Sequence, residues 1–112
     1  MRACGRVLCA VSICCSAVLL FAATSSEAAP DKKSEALFKE HCASCHPDGG
    51  NIINPKKSLK KADLEANKLM NADDIVRVMR NPGPGMLKFD AKTISDKEAK
   101  ELAEYILKKY GK

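Results

Sequence analysis

The sequence has no tryptophan, and its phenylalanines and tyrosines together make up only 4% of the chain. A small domain with so few large apolar side chains can build only a modest core, and such domains usually need a metal, disulfides or a cofactor. Alternation of apolar and polar residues with period two is also missing over any useful length, which argues against a sheet-based fold. Internal repeats and low-complexity tracts are absent, so the 112 residues are expected to hold one small domain.

The one long apolar run lies at the N-terminus. Two arginines precede a nearly wholly apolar, uncharged stretch at residues 7–23, and small residues occupy the two positions that a signal peptidase reads. This pattern is typical of a secretory signal peptide cleaved after Ala28. It predicts residues 1–28 as signal peptide and residues 29–112 as the mature domain. An uncleaved N-terminal anchor is the alternative, although the apolar run is at the lower limit for crossing a bilayer.

Cysteine is scarce once the predicted signal peptide is removed, because only Cys42 and Cys45 remain. Two close cysteines in an exported protein do not resemble a disulfide scaffold. They stand in the segment Cys42-Ala43-Ser44-Cys45-His46, and C-x-x-C-H in an exported chain marks covalent attachment of haem c. The two thiols are predicted to form thioethers with the vinyl groups of the porphyrin, and His46 to supply the proximal nitrogen to the iron.

Two other uses of this cysteine pair fit the sequence less well. A thioredoxin-like redox pair needs a βαβ context, which the sequence does not contain. A structural zinc site needs four ligands around one ion. The only candidates are crowded into six consecutive residues, from His41 to His46, so they cannot surround an ion tetrahedrally.

The second axial ligand must come from elsewhere in the chain. His41 adjoins Cys42 and is fixed on the attachment segment, so we expect it to be an exposed histidine at a helix end. Met79 has helical spacing with apolar neighbours, which favours a core position, and Met70 precedes a helix cap and fits either a core or an exposed position. Met86 follows a Pro/Gly loop with no helix to bury it, and it is therefore the predicted ligand.

The predicted fold class is all-α, with four short helices joined by long connections. Caps, turn clusters and prolines set the expected helices at Ser34–His41, at Leu59–Asn67, between the Asn71 cap and Asn81-Pro82, and after the capping box Ser95–Glu98. The haem is expected to complete the core, together with a set of apolar side chains: Phe38, Ile75, Leu102, Tyr105 and Ile106.

Taken together, these segments resemble the class I c-type cytochromes, in particular the cytochrome c6-like group and similar monohaem proteins in the outer envelope of metal-reducing bacteria. The resemblance covers about residues 34–110 and rests on the first helix with C-x-x-C-H, the Gly49-Gly50-Asn51-Ile52-Ile53 run, the segment Asn81–Met86 with Phe89, and Leu102 with Tyr105. It implies a small class I fold wrapped round one covalently attached haem with an exposed edge. It also implies electron transfer, and no enzymatic activity.

Two positions depart from the family pattern. Leu87 replaces the proline that usually follows the ligand methionine, which is expected to loosen the loop. Val78 stands where photosynthetic c6 proteins have a glutamine near the haem. The loss of this amide is expected to lower the reduction potential relative to those relatives.

The formal net charge is +5, and several lysines cluster along the chain. The group comprises Lys56, Lys57, Lys60 and Lys61. Lys88 and Lys92 follow the methionine loop, which is the Pro/Gly segment that begins at Pro82 and carries Met86. A solvated helix face and a docking surface for an acidic redox partner both explain this cluster, since the sign of the charge alone names no partner. Nucleic-acid binding is not expected, because aromatic residues are too few. A monomer in the periplasm is expected, and association with the outer envelope is left open.

Two functions are compatible with these features. The first is a soluble carrier of single electrons between redox partner proteins outside the cytoplasm. The alternative is a haem-based sensor of gases or peroxide, or a small haem enzyme, formed when Met86 leaves the iron. The rigid Pro82 and Pro84 favour the carrier, whereas Leu87 favours the alternative.

Overall fold

The computed structural model describes residues 29–112, and the predicted signal peptide at residues 1–28 lies outside them. Every regular element in this range is helical, which confirms the all-α class. The elements are α1 (Pro30–His41), short 3-10 turns at Pro47–Gly49 and Pro55–Lys57, α2 (Lys61–Ala66), α3 (Ala72–Arg80) and α4 (Asp96–Tyr110). Within residues 29–112 no helix has both the length and the apolar character needed to cross a bilayer.

Helix α1 begins four residues before its predicted start at Ser34. Pro30 occupies the first turn, where its fixed φ suits a helix and its missing N–H costs nothing. Asp31 in the same turn complements the positive end of the helix dipole. The helix ends at His41 as predicted, and the N–H groups of Cys42 and Ala43 both donate to Phe38 O at 2.9 Å. The cysteine motif therefore follows directly from the last turn of α1.

Helix α2 is shorter than the predicted Leu59–Asn67 because Ser58 caps the turn that precedes it. The Ser58 hydroxyl donates to the Asp63 carboxylate and accepts from Lys60 N–H, which holds the chain extended up to Lys60. At its other end, Lys68 has a left-handed φ of 58°. Leu69 N–H donates to Leu64 O at 2.9 Å across this turn. This bond closes the helix in the Schellman manner, with lysine in the position that glycine usually takes.

The caps predicted for the last two helices are confirmed. The Asn71 side chain accepts from Asp74 N–H at 2.9 Å at the start of α3. At the start of α4, the Ser95 hydroxyl accepts from Glu98 N–H at 3.3 Å, while the Glu98 carboxylate accepts from Ser95 N–H at 3.0 Å. Helix α3 ends at Arg80, directly before Asn81, as the following proline requires.

The core lies where α4 packs across both α1 and α3. All five side chains predicted for it are buried and belong to one apolar cluster, which comprises Phe38, Ile75, Met79, Ile94, Ala99, Leu102, Ala103, Tyr105 and Ile106. The Phe38 ring sits 6.2 Å from the Tyr105 ring and 5.4 Å from the Tyr110 ring, centroid to centroid. These contacts fix the end of α1, and with it the cysteine motif, against α4.

Candidate haem site

A cavity of about 300 Å³ opens on one side of the core. The attachment segment, the residues between 51 and 59, helix α3 and the loop after it form its walls, and the lining is mainly apolar. All four predicted site residues line this cavity, namely Cys42, Cys45, His46 and Met86. The fold therefore brings the methionine loop to the same space as the cysteine motif, more than 40 residues earlier in the chain.

One ring nitrogen of His46 is engaged in a hydrogen bond with the backbone. The residue is 9% exposed, and Nδ1 lies 2.8 Å from Gly50 O. A carbonyl oxygen can only accept a hydrogen bond, so Nδ1 carries the proton. This tautomer leaves a lone pair on Nε2, the nitrogen that can bind a metal, and the hydrogen bond fixes the direction of the ring.

The turn after His46 is shaped by Gly49 and by a residue at the far end of the chain. Gly49 has a φ of +75°, which side chains other than glycine rarely adopt. A Cβ at this position would lie 2.5 Å from Tyr110 Cδ1. Because Gly50 follows immediately and supplies the acceptor for His46, packing between Gly49 and Tyr110 supports the orientation of the imidazole.

The two cysteines are free thiols that are half buried in the cavity wall. Burial raises the pKa of the Cys42 thiol to about 11, and the neighbouring Cys45 adds to the rise. At neutral pH the free Cys42 thiol is therefore neutral. A thioether is uncharged, so covalent attachment to a porphyrin places no charge in this apolar wall. Among residues 29–112, His, Cys, Asp and Glu side chains form no group of three that could hold a metal ion.

The three methionines considered as distal ligands differ in their access to the cavity. Met70 is 58% exposed and lies outside the lining. Met79 is 3% exposed, belongs to the core cluster as predicted, and also borders the cavity. Met86 is half buried on the loop and borders the cavity as well. The structure thus excludes Met70 by position and leaves two methionines facing the haem site.

His41 is not the exposed helix-end residue that the sequence suggested. Its side chain is 21% exposed, lines the cavity and presents its ring to the Phe89 ring at 5.8 Å, edge to face. Phe89 lies 48 positions further along the chain, so no local pattern signals this contact. Asn51 belongs to the run that carries the family resemblance, and the structure shows which contacts its side chain makes. Its side chain accepts from the N–H groups of Ile53 and Asn54 and donates to Lys57 O, which orders this part of the cavity wall.

The residues that line the cavity fit haem c. Two thiols and an imidazole with a free Nε2 lie on one segment, and a methionine thioether borders the same largely apolar cavity. Iron held by histidine and methionine is typical of electron-transfer cytochromes.

Comparison with known proteins gives the same assignment. The family described as cytochrome c oxidase, cbb3-type, subunit III matches residues 29–106. Cytochrome c6 of Cyanidium caldarium is 37% identical over 78 residues, which cover 70% of each protein. Cytochrome c6 of Synechocystis sp. is 42% identical over 73 residues, covering 65% of this chain and 60% of that protein.

Solved structures agree with these sequence relatives. The outer membrane cytochrome OmcF from Geobacter sulfurreducens is 40% identical, with a TM-score of 0.66, and the match covers 69% of this chain and 98% of OmcF. Cytochrome c6A from Arabidopsis thaliana is 31% identical, with a TM-score of 0.65 over 71% of this chain and 89% of that one.

The chain belongs to the class I c-type cytochromes. As a c6-like cytochrome it carries one covalently bound haem c and serves as a monohaem electron carrier. The relatives are electron-transfer cytochromes that work with redox partners, so the sensor or enzyme alternative is not favoured. The family fold also accounts for the cavity, because a haem would complete an otherwise small core.

Proposed function

We propose that this cytochrome passes single electrons between partner proteins outside the cytoplasm. In this proposal Cys42 and Cys45 hold the haem through thioethers. His46 and Met86 supply the axial ligands. The proposal rests on one observation, the hydrogen bond from His46 Nδ1 to Gly50 O. This bond leaves Nε2 free on the segment that also bears both thiols. When bound, the haem supplies an iron that alternates between the ferrous and ferric states and so holds or releases one electron.

The residues on the proximal side keep the site unchanged between the two states. The carbonyl of Gly50 accepts the Nδ1 proton of His46, which fixes the ring and increases its basicity as a ligand. His46 is 9% exposed, so most of the residue is shielded from water. A ligand that does not rearrange supports rapid transfer. With both axial positions filled, no position remains for a substrate, and we propose no enzymatic activity.

Met86 is proposed as the distal ligand in preference to Met79 because of how each is held. Met79 is part of α3, and its side chain is 3% exposed within the apolar cluster, where core packing accounts for it. Met86 lies on the loop after α3 and packs only partly against that cluster, so core packing accounts for it less completely. A thioether on such a loop can be presented to the iron without disturbing the core.

Two variants separate these methionines. Met86→Ala is expected to abolish the weak sulfur-to-iron absorption band in the far red and to lower the reduction potential, while the haem stays attached. Met79→Leu, a volume-conserving change, is expected to keep the band and most of the stability. Visible spectra and a redox titration measure both effects. Loss of the band in the Met79 variant alone would assign the ligand to Met79 instead.

An exposed apolar patch with an adjacent lysine marks the proposed docking surface. Ile53 and Leu87 both line the cavity, yet they are 58% and 74% exposed, so they lie at its mouth. Gly85 and Ile53 approach each other closely, since a Cβ added at Gly85 would lie 3.2 Å from Ile53 Cγ2. The methionine loop and the segment around Ile53 are therefore close together at the mouth of the cavity. Lys57 Nζ reaches to within 3.7 Å of the corresponding position at Gly83. This arrangement fits a redox partner whose own apolar contact is bordered by acidic side chains.

The docking surface can be tested with an electrode that carries a mixed carboxylate and methyl monolayer. Lys57→Glu is expected to slow electron exchange at low ionic strength, and added salt is expected to remove the difference. Lys97→Glu makes the same change of net charge on α4, away from the cavity lining, and is the matched control. Equal slowing by both variants would mean that net charge, and not this surface, controls the association.

Export to the periplasm is proposed from the signal-peptide pattern of residues 1–28. The secreted protein is expected to have a mass equal to residues 29–112 plus one haem, in the periplasmic fraction. Recovery of the full-length chain in the membrane fraction would favour the uncleaved anchor. If acid–acetone removed the haem from the denatured protein, the thioether attachment would be wrong.

A further inference from the structure

Arg80, the last residue of α3, joins that helix to the chain beyond the methionine loop. Its Nη1 donates to Phe89 O at 3.0 Å, and its Nη2 donates to Ile94 O at 2.9 Å and to Asp96 Oδ1 at 2.8 Å. The guanidinium is 22% exposed, so these bonds are partly shielded from water. A single side chain thus contacts the residue after the loop, a fully buried core residue and the first turn of α4.

The methionine loop has little structure of its own. Within residues 82–88 the structure describes one internal hydrogen bond, from Met86 N–H to Gly83 O, and at 3.5 Å it is long. Leu87 is 74% exposed, so burial does not fix this part of the loop. Apart from the partial packing of Met86 against the core cluster, the position of the methionine therefore depends on the two ends of the loop.

The two ends are held by different means. At the start, Asn81 N–H donates to Arg77 O at 2.8 Å, which continues the helical pattern of α3. At the far end, Phe89 is bound through both backbone groups, since its N–H donates to Met79 O at 2.9 Å and its carbonyl accepts from Arg80. Phe89 follows Met86 by only three residues, so a displacement of Phe89 moves the methionine.

Arg80 contributes most of its restraint through the two carbonyl bonds. The Asp96 carboxylate is 87% exposed, and an ion pair with so exposed a group adds little. Hydrogen bonds from a charged donor to partly buried carbonyls are stronger than neutral ones, and removal of the donor leaves both carbonyls without this partner. The planar guanidinium can reach several acceptors at once, which a lysine ammonium does less well.

We infer that Arg80 is a positioning residue that keeps Met86 seated at the cavity. The inference rests on the proposed role of Met86 as distal ligand. Arg80 acts through the backbone of Phe89 and Ile94, and it closes the loop over the site. Without the Arg80 hydrogen bonds to Phe89 O and Ile94 O, the loop opens more often, so that an added ligand competes more successfully with the methionine for ferric iron.

The test uses the haem-loaded protein and imidazole as the competing ligand. Arg80→Met is expected to bind imidazole at least about tenfold more tightly than the wild type and to lose the far-red band at a lower temperature. Arg77→Met is the matched control, because Arg77 lies on the same helix, carries the same charge and, within residues 29–112, has its side chain paired with the nearby Asp74 alone. This control is expected to leave both measurements unchanged. Asp96→Asn is expected to change the imidazole affinity much less than Arg80→Met.

The outcomes distinguish a positioning role from general stabilisation. If Arg80→Met lowers the melting temperature but leaves the imidazole affinity and the far-red band of the native protein unchanged, the inference is wrong. If Arg80→Met fails to fold, Arg80→Lys, which keeps the charge, replaces it in the test. We expect its imidazole affinity to lie between those of the wild type and Arg80→Met. An imidazole affinity equal to that of the wild type would refute the positioning role of Arg80. A wild type without the far-red band, or a Met86→Ala variant that retains it, would instead overturn the ligand assignment and this inference with it.

Discussion

The haem is expected to be the largest single contribution to the stability of this domain, and removing its attachment should expose that dependence. In Cys42→Ser/Cys45→Ser the porphyrin has no covalent anchor, and the haem-free chain must close round a cavity of about 300 Å³ or leave it open. Residual cavities cost about 24 cal/mol per Å³, so an unfilled space of this size would cost ~7 kcal/mol.

That cost is comparable to the whole stability of such a domain. At ~0.05–0.15 kcal/mol per residue, the 84 residues from 29 to 112 have a free energy of unfolding of about 4–13 kcal/mol. The mouth of the cavity is open, so water relieves part of the cost, but the apolar lining gains little from it. We therefore expect the haem-free variant to be largely unfolded at room temperature, with at most a marginal native population.

Circular dichroism at 222 nm, recorded during a thermal scan of the haem-free variant, measures this directly. The loaded wild type and Ser44→Ala are the controls, since Ser44 is exposed between the two cysteines and its replacement keeps both thiols. Addition of free haem to the variant is expected to restore helicity in proportion to the haem bound. A cooperative transition in the haem-free variant at nearly the melting temperature of the loaded protein would refute the reasoning.

Three further predictions concern single side chains. Val78→Gln, at the half-buried position in the cavity wall that resembles a glutamine site in photosynthetic relatives, should raise the reduction potential in a redox titration; an unchanged or lower value with intact ligation would contradict it. Gly49→Ala should destabilise the protein by ~2–4 kcal/mol in denaturant unfolding, through the left-handed φ and the clash with Tyr110. The double variant Gly49→Ala/Tyr110→Ala should lose less stability than the two single variants lose in sum, because removal of the Tyr110 ring removes the clash. Simple additivity of the two losses would argue against the clash. The Ser95 hydroxyl holds the pKa of Glu98 down to about 2, so this carboxylate stabilises the fold above its usual pKa of 4.5 and stops doing so as the pH falls towards 2. Glu98→Gln should therefore be less stable than the wild type at pH 7, with the difference shrinking between pH 4.5 and 2, and a constant difference would be inconsistent with this linkage.

The sequence by itself determined the features that depend on neighbouring residues. The spacing of Cys42, Cys45 and His46 is a local pattern, and it was sufficient to predict the cofactor. The caps at Asn71 and Ser95 are equally local, because a cap depends on a side chain and a backbone N–H three positions apart. The burial of the core followed from helical periodicity. The predicted helix bounds are wrong only at the start of α1 and at both ends of α2. Each error is a few residues long, because capping decides where a helix ends.

Only the tertiary structure decided which distant groups meet at the haem site. Two methionines, Met79 and Met86, border the cavity, although helical spacing had favoured a core position for Met79. The half-buried position of His41 depends on Phe89, and the clamp of Arg80 reaches acceptors 9 to 16 residues further along the chain. Such contacts leave no periodic signal, because they depend on where the chain returns after a loop and not on the spacing of residues within one helix. The candidate haem site therefore combines a local motif with residues that only the long-range fold brings to the same cavity.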